Sequence, residues 1–473
     1  MRRLIAIALL LFLPAGCTVG PKYQRPALQP PASYYTEQET ADHSVGDLAW
    51  WDLFKDPALQ GLVREALKNN YDLQLAVSRV EQERALLGVT RSQYYPQVGY
   101  DANISGAQLT LIPNHTYYGY NFSTFWEIDL FGRLRRLNEA QRATYFSSEE
   151  ARRDIRLLVL SEVAQGYFQL RALDEQLAVA HRTVESFQVT LDLFQKKLEG
   201  GASSGLEVAR AQAALSNVAA AIPDFERQIV AQENSLDLLL GRNPGPIARG
   251  AALVDQYDPP AVPAGLPAGL LERRPDLREA EQNLVAANAN VGVAKANFFP
   301  TLSLTGLFGG VSPQLSQLTG AGKAWSLAGD LAGPIFTAGR LKNEYRASLA
   351  LRDQARISFE KAVTQAFGEV STALSAHQQL ANAYRQELNS VEAYRESVHL
   401  SYIRYDSGLA SYFEIVDAQI QLYPVESSVV TFDLGRKLAL VDLYRALGGG
   451  WNLSDSQWTI AGGTPSGTQA PMH

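Results

Sequence analysis

The chain has 473 residues, a net charge of −7 and a sequence pI near 5.6. It contains no basic cluster of the kind that binds nucleic acid, so we expect no nucleic-acid partner. Charged residues make up only 19% of the total, which is low for a soluble protein. The sequence also lacks a nucleophile motif, a phosphate-binding glycine loop and a cluster of metal ligands, so we expect neither an enzyme nor a cofactor.

The first residues form a targeting signal. Two arginines precede an apolar run, 4–13, that is too short to span a bilayer. Two small residues then precede Cys17, the only cysteine, in an arrangement that resembles a bacterial lipobox; the alternative is an ordinary signal peptide with an incidental cysteine. The resemblance implies that residues 1–16 are removed and that Cys17 carries N-palmitoyl and S-diacylglycerol lipids. Thr18, and not an acidic residue, follows the cysteine. By resemblance to lipoprotein sorting signals, this favours the outer membrane.

An internal repeat organises the rest of the chain. The stretch 199–212 aligns with a later stretch at a constant offset of 207, from 408 minus 201. The matched pairs are Gly201 with Gly408, Ser204 with Ser411, Glu207 with Glu414 and Gln212 with Gln419. We therefore predict a tandem duplication, with repeat 1 over 57–244 and repeat 2 over 268–450. A linker rich in Pro, Ala and Gly, 245–267, joins the two repeats.

The segments outside the repeats show no sustained periodicity. Residues 17–56 are rich in Pro, Tyr and Gln and predict an extended arm. Its apolar residues Trp50, Trp51 and Phe54 are expected to anchor this arm to the body of the protein. Residues 451–473 are rich in Gly, Ser and Thr and predict a disordered tail.

Each repeat contains two runs in which apolar and polar residues alternate, the pattern of a β-strand with two unlike faces. The predicted strands cover about 97–107, 117–129, 301–309 and 324–335. A polar connection over 109–116 separates the first two. Aromatic residues on one face and small polar residues on the other suit a lipid-facing exterior and a wet lumen. A soluble hairpin packed on a helix is the alternative.

Each pair of strands leads into an uninterrupted helical pattern. The predicted long helices cover 133–199 and 340–405, and the returning helices cover 204–241 and 412–447. The first would be about 100 Å long at 1.5 Å per residue. Its apolar residues alternate in steps of three and four, which predicts a coiled-coil seam. Pro223, inside the first returning helix, predicts a kink, and Pro424 lies inside the second.

Four amphipathic strands cannot close a membrane barrel by themselves. An open sheet edge in hydrocarbon would leave backbone groups unpaired, so the strands must be shared between chains. Eight strands from a dimer or twelve from a trimer would both satisfy this requirement. The predicted fold class is mixed all-α plus membrane β, with duplicated long antiparallel helical hairpins.

Several motifs resemble those of the TolC-like outer-membrane efflux channels, and especially the lipoprotein branch of OprM and NodT type. They are residues 20–23 after the lipobox, the run 265–277, the corners 129–133 and 334–336, and the run 446–451. The resemblance covers nearly the whole mature chain. It implies a homotrimer with a 12-stranded barrel in outer-membrane lipid and a long periplasmic helical tunnel. It also implies docking to a periplasmic adaptor protein and an inner-membrane RND-type transporter.

The resemblance further implies that the pore closes at the periplasmic turns between the long and returning helices. Phe413 and Asp417 match the apolar and acidic constrictions of the family, and they share a helix face because they lie four residues apart. Repeat 1 has Leu206 and Arg210 at the equivalent positions. One hypothesis is that Arg210 or Arg404 pairs with an acidic partner across neighbouring coiled coils and holds the pore shut at these turns. The alternative is that these turns are solvated surface.

The function that these features favour is the exit duct of a tripartite efflux system for drugs or other small molecules. Type I protein secretion and metal efflux are alternatives on the same fold, although 2 Met and 6 His give no metal-rich lining. The six histidines have no paired spacing; they are His43, His115, His181, His377, His399 and His473. The three within the long helices, His181, His377 and His399, are expected to be packing or surface residues. A structural coiled-coil envelope lipoprotein and a free-standing porin are further alternatives.

Overall fold

The computed structural model describes residues 18–28, 31, 33–34, 44–109, 112–259, 263–265 and 267–458. The predicted lipidation site, Cys17, lies outside the described residues. So do the tip of the first hairpin, 110–111, and the last part of the predicted tail, 459–473.

Helices make up most of the described chain. Before the linker they are α1 Trp50–Leu53, α2 Pro57–Asn69, α3 Tyr71–Ser92, α4 Arg133–Glu199, α5 Gly205–Ala219 and α6 Ala221–Leu239. After it they are α7 Leu270–Arg273, α8 Pro275–Ala296, α9 Arg340–Asp406 and α10 Tyr412–Ala446. The two long helices, α4 and α9, have 67 residues each. Within the described ranges, no helix combines the length and apolar composition needed to cross a membrane.

The sheet has four antiparallel strands in the order β1-β2-β3-β4. They are β1 Gln97–Leu109, β2 Ile112–Ile128, β3 Thr301–Ser312 and β4 Lys323–Ala332. Repeat 1 supplies β1 and β2, and repeat 2 supplies β3 and β4. The junction between the repeats is therefore the ladder between β2 and β3, and β1 and β4 form the two edges.

The strand bounds differ from the prediction most at three ends. β3 ends at Ser312 instead of 309. β2 begins at Ile112, five residues before the predicted start, so most of the predicted polar connection over 109–116 is strand. Backbone pairing with β1 continues there, with Ala107 opposite His115 and Leu109 opposite Ile112, and it overrides the polar composition. β4 ends at Ala332 instead of 335. Pro334 follows, and proline has no N–H to donate to a ladder.

The first returning helix is two helices instead of one kinked helix. α5 ends at Ala219 and α6 begins at Ala221, so the break precedes Pro223. Pro223 lies in the first turn of α6, where a missing N–H leaves no helical hydrogen bond unmade. Pro424, in contrast, lies inside the single helix α10.

The linker is packed against the helices. Asp56, the N-cap of α2, is buried and accepts hydrogen bonds from Gln256 (2.6 Å), Tyr167 (2.7 Å) and the Ala251 N–H (3.1 Å). Burial alone would raise the pKa of Asp56, but these donors stabilise the carboxylate and hold its pKa below the usual value. The linker is thus part of the folded body of the protein.

The predicted disordered tail is wrong for its first part. Residues 451–458 are ordered, and Trp458 is only 3% exposed. The Arg156 guanidinium lies 4.3 Å from the Trp458 ring centroid, and Asp455 pairs with both Arg152 and Arg156 at 2.7 Å. The average composition of the segment conceals two tryptophans and one aspartate, all of which contact the rest of the protein; Trp451 donates to Asp47 Oδ1 at 2.9 Å.

The chain forms two compact units that cut across the repeats. One unit comprises Met1–Leu28, Val77–Ala151 and Asp276–Ala362, and contains the sheet. The other comprises Gln29–Ala76, Arg152–Pro275 and Val363–His473. It contains both turns between the long and returning helices. The repeats are units of sequence, and each compact unit takes segments from both.

Candidate functional site

The turns between long and returning helices rest on a shared apolar core. Its buried members are Ala180, Phe187, Leu191 and Phe194 of α4, Ala211, Ala214, Leu215 and Val218 of α5, and Tyr412, Ile415 and Val416 of α10. Tyr402 and Tyr405 of α9 pack against it. The ring centroids of Phe194 and Tyr412 lie 3.5 Å apart. Both helical hairpins therefore meet in one core at this end, which we call the tip.

The first turn combines a glycine in a left-handed conformation with a capped helix. Gly201 has φ +73°, a conformation that favours glycine. Ser204 caps α5 in a capping box, because its side chain accepts from the Glu207 N–H while the Glu207 carboxylate accepts from the Ser204 N–H at 2.8 Å. The Ser203 hydroxyl donates to the same carboxylate, and these bonds lower the pKa of Glu207.

The second turn has the same Ser–x–x–Glu spacing but not the same contacts. Ser411 makes no side-chain cap bond to α10. Glu414 instead pairs with Arg404, with Oε2 and Nε 3.2 Å apart. The residue equivalent to Arg404 in repeat 1 is Lys197, which donates to the Tyr405 hydroxyl at 3.0 Å. Glu207, the equivalent of Glu414, therefore remains available to cap α5. The duplicated motifs have therefore diverged in their partners.

Four of the predicted gate residues line one open groove of about 790 Å³ between α5 and α10. Leu206 and Phe413 are 61% and 57% exposed there. The Arg210 guanidinium lies 5.6 Å from the Phe413 ring centroid. Within the described part of the chain, the exposed Asp417 carboxylate has no hydrogen-bond or ion-pair partner.

Arg404, the fifth predicted gate residue, lines a different groove of about 470 Å³ together with Glu414 and Asp417. Within the chain, Arg404 pairs with Glu414 of the same turn. Its pairing with an acidic partner across neighbouring coiled coils stays a prediction. The turn brings these residues together although they are ten positions apart. Both side chains are about half exposed, so solvent screens the pair and its contribution to stability is small.

Sequence reasoning missed a buried polar cluster beneath the second turn. The Gln419 side-chain amide lies within hydrogen-bonding distance of Ser186 Oγ (3.1 Å), Thr190 Oγ1 (3.2 Å) and the Tyr402 hydroxyl (3.1 Å). Gln419 and Thr190 are 5% and 1% exposed. This cluster joins α4 to α9 and α10. The available signal was a glutamine at an interior position of the apolar seam.

No group of three or more His, Cys, Asp or Glu suited to a metal ion occurs among the residues that the structure describes. The site is instead an exposed pair of turns with apolar and charged side chains of both signs. Such an arrangement can contact other copies of the chain or a passing solute.

The outer membrane efflux protein family matches residues 62–242 and 266–449, which includes most of both repeats. The chain belongs to this family. The toluene efflux pump outer membrane protein TtgC of Pseudomonas putida is 33% identical to it over 467 residues, covering 95% of this chain and 96% of TtgC. The probable outer membrane lipoprotein SilC of Salmonella typhimurium is 32% identical over 452 residues, covering 93% and 97%.

Solved channels share the fold. The open state of the Neisseria gonorrhoeae MtrE outer membrane channel superposes with a TM-score of 0.85 at 31% identity, covering 92% of this chain and 99% of MtrE. The predicted family, fold class, outer-membrane location and function are thereby confirmed: this efflux protein is an outer-membrane exit channel.

Proposed function

We propose that the protein works as a homotrimer whose tip is the gate of the exit duct. The observation that carries this proposal is the groove at the tip, where Leu206, Arg210, Phe413 and Asp417 lie together and Asp417 has no partner within the described chain. Three copies would bring three such grooves around one axis. The free edges of the sheet support shared strands, and the resemblance to TolC-like channels favours three copies over two.

In the proposed trimer, Phe413 forms an apolar collar and Asp417 forms a ring of three carboxylates one helical turn away. Such a ring attracts cations and repels anions. Arg210 of repeat 1 lies on the same groove and supplies the opposite charge. Closure would bring these charges of neighbouring copies together, and opening would separate them.

The proposed partners are a periplasmic adaptor protein and an inner-membrane RND-type transporter, which would supply the energy for transport. TtgC is the outer membrane protein of a toluene efflux pump. We propose organic small molecules, drugs included, as the substrates of this chain. The duct itself would conduct them passively.

A lipid anchor at Cys17 is part of the proposal, since the relative SilC is a probable outer membrane lipoprotein. The cysteine would carry a diacylglycerol on its sulfur and a palmitoyl group on its amine. Mass spectrometry of the mature N-terminal peptide tests this. The expected peptide begins at a lipidated Cys17, and an unmodified Cys17 in the mature protein would contradict the anchor.

Planar bilayer recordings test the gate. Asp417→Ala removes the proposed carboxylate ring, so we expect a larger open probability and a weaker preference for cations over anions. Asp406→Ala is the matched control, because Asp406 is also exposed but lines neither groove. If the Asp417→Ala channel has the conductance and ion preference of wild type, the proposal that Asp417 forms an acidic gate is wrong.

A further inference from the structure

Each repeat passes from its second strand into its long helix through a short segment at the same edge of the sheet. We call 127–139 the first corner and 334–346 the second corner. They correspond at an offset of 207, from 339 minus 132, which relates Gly132 to Gly339. These glycines have φ +81° and +84°. Because both corners turn at a glycine in this conformation, their side chains can be compared position by position.

The charged side chains of the first corner form three ion pairs within it. The pairs are Glu127 with Arg133 (2.6 Å), Asp129 with Arg135 (3.2 Å) and Glu139 with Arg136 (2.7 Å). The N-terminal arm also covers this corner, because the Val19 N–H donates to the Phe131 carbonyl at 3.1 Å and Thr18 packs against Gly132. The first corner is therefore electrically balanced, and none of its residues is exposed.

The second corner has different chemistry at the same positions. Its residues at the three acidic positions of the first corner are Pro334, Phe336 and Arg346. Three basic residues and one acidic residue give it a net charge of +2: Arg340, Lys342, Arg346 and Glu344. Glu344 pairs with Arg340 at 2.8 Å. Within the described chain, Lys342 and Arg346 have no ion-pair or hydrogen-bond partner, and they share a face of α9 because they lie four residues apart.

The second corner also exposes apolar side chains beside the membrane. Ile335 is fully exposed and Phe336 is 86% exposed. They follow β4, a strand of the outer-membrane sheet that ends at Ala332. Three residues of extended chain span at most about 10 Å, and the headgroup layer of a bilayer is about 5–8 Å thick on each side. Ile335 and Phe336 therefore lie at or near the headgroup layer.

We propose that the second corner is a docking surface for phospholipids of the inner leaflet, on the side of the long helices. Ile335 and Phe336 enter the interface, and Lys342 and Arg346 contact the lipid phosphate groups. The long apolar stems of these two basic side chains let their charged ends reach the headgroups. A soluble anion would pair with the charges alone, whereas a phospholipid surface also covers the apolar side chains.

The first corner has its own route to the same leaflet if Cys17 carries the proposed lipids, since Thr18 follows Cys17 directly and packs against Gly132. Gly339 has no such cover in the described chain: a β-carbon there would have only the Asn343 amide within 4 Å, at 3.7 Å. Repeat 1 would thus be attached through a covalent anchor and repeat 2 through its own side chains.

A fluorescent label tests the membrane contact in the full-length protein. Phe336→Cys is labelled with an environment-sensitive thiol dye and reconstituted into vesicles of phosphatidylethanolamine and phosphatidylglycerol that contain a lipid with a nitroxide near its headgroup. Leu351→Cys is the matched control, because Leu351 is also an exposed apolar residue but lies about 16 Å along α9 from its start. Wild type, whose only cysteine is Cys17, gives the background signal.

The nitroxide lipid is expected to quench the label of Phe336→Cys strongly and that of Leu351→Cys weakly. Equal quenching at the two positions would overturn the contact. So would a Phe336→Cys label that neither the nitroxide lipid nor aqueous iodide quenches, because that label would be buried against a second copy of the chain.

Native mass spectrometry with bound lipid tests the two charges. Lys342→Gln combined with Arg346→Gln should weaken the retention of phosphatidylglycerol about fivefold for each charge removed. Lys361→Gln combined with Arg385→Gln is the matched control, because it removes two exposed charges of the same helix far from the corner and should retain the lipid as wild type does. Equal losses in the two double variants, or displacement of the lipid by inorganic phosphate, would overturn the docking surface. Neither readout involves Asp417 or requires a lipidated Cys17, so failure of the proposed gate or anchor would be seen separately.

Discussion

At the residue scale, the tip shows how one duplicated motif acquires two sets of contacts. Ser–x–x–Glu is a capping signature in both repeats, but only Glu207 caps its helix. In repeat 2, Glu414 forms an ion pair with Arg404 and does not cap α10. The motif could be found from the sequence, but its partners could not, because they depend on which basic residue the preceding helix presents.

The glutamines of the two repeats give a matched pair for testing the tip. Gln419→Ala removes the hydrogen bonds of its side-chain amide to the buried Thr190 hydroxyl and to the Tyr402 hydroxyl, each of which typically contributes about 0.5–1.5 kcal/mol. Its counterpart Gln212 is exposed and contacts Ser216, so Gln212→Ala should change stability by less than about 0.5 kcal/mol. Urea unfolding followed by circular dichroism measures both variants. Equal losses for the two would show that the buried cluster has no special role.

At the element scale, sequence periodicity predicted the long helices and the presence of four strands but not all of their ends. The predicted helix over 133–199 and the observed α4 have the same bounds, because a long seam without proline contains many independent signals. The observed start of β2, Ile112, lies five residues before the predicted start, because pairing with β1 extends the strand. The break before Pro223 and the docking of Trp458 depend on long-range packing, which local composition does not report.

The linker is held to α9 and α10 by buried charged groups, which makes its docking sensitive to pH. Asp258 of the linker pairs with Arg436, and its other carboxylate oxygen faces His377 Nε2 at 4.0 Å. Asp433 and Lys437 of α10 are almost fully buried beside them. Burial lowers the pKa of His377; Arg436 and Lys437 act in the same direction, and Asp258 opposes it.

Because the pKa of His377 is lower in the folded protein, the unfolded chain binds this proton more readily. The contribution of neutral His377 to stability is therefore present above about pH 6.5 and is lost as the pH falls below that value. We expect His377→Gln to show a smaller drop in Tm than wild type between about pH 7.5 and pH 5. The exposed His399 of the same helix supplies the control His399→Gln, which should keep the wild-type drop. An unchanged pH dependence in His377→Gln would refute the assignment.

At the scale of the whole molecule, the duplication determines both the architecture and the site. It was visible in the sequence because matched residues of the two repeats recur at a constant offset of 207 around the turns. The number of chains was not, since free edges require sharing but permit two copies or three. The gate residues came from resemblance to known channels, and the structure places four of them on one groove at the tip. The unit that contains that groove draws on both repeats, so neither repeat alone provides the site.

In the proposed channel, exported compounds pass through this tip, and chemical blocking of a cysteine placed there tests this path. Phe413→Cys would place a thiol on the groove, and Leu409→Cys would place one on the same turn but outside both grooves. In cells that depend on this chain for export of a lipophilic fluorescent dye, a bulky thiol reagent should stop export in Phe413→Cys. Export should continue in wild type and in Leu409→Cys. Undiminished export by a fully labelled Phe413→Cys protein would contradict passage through the tip.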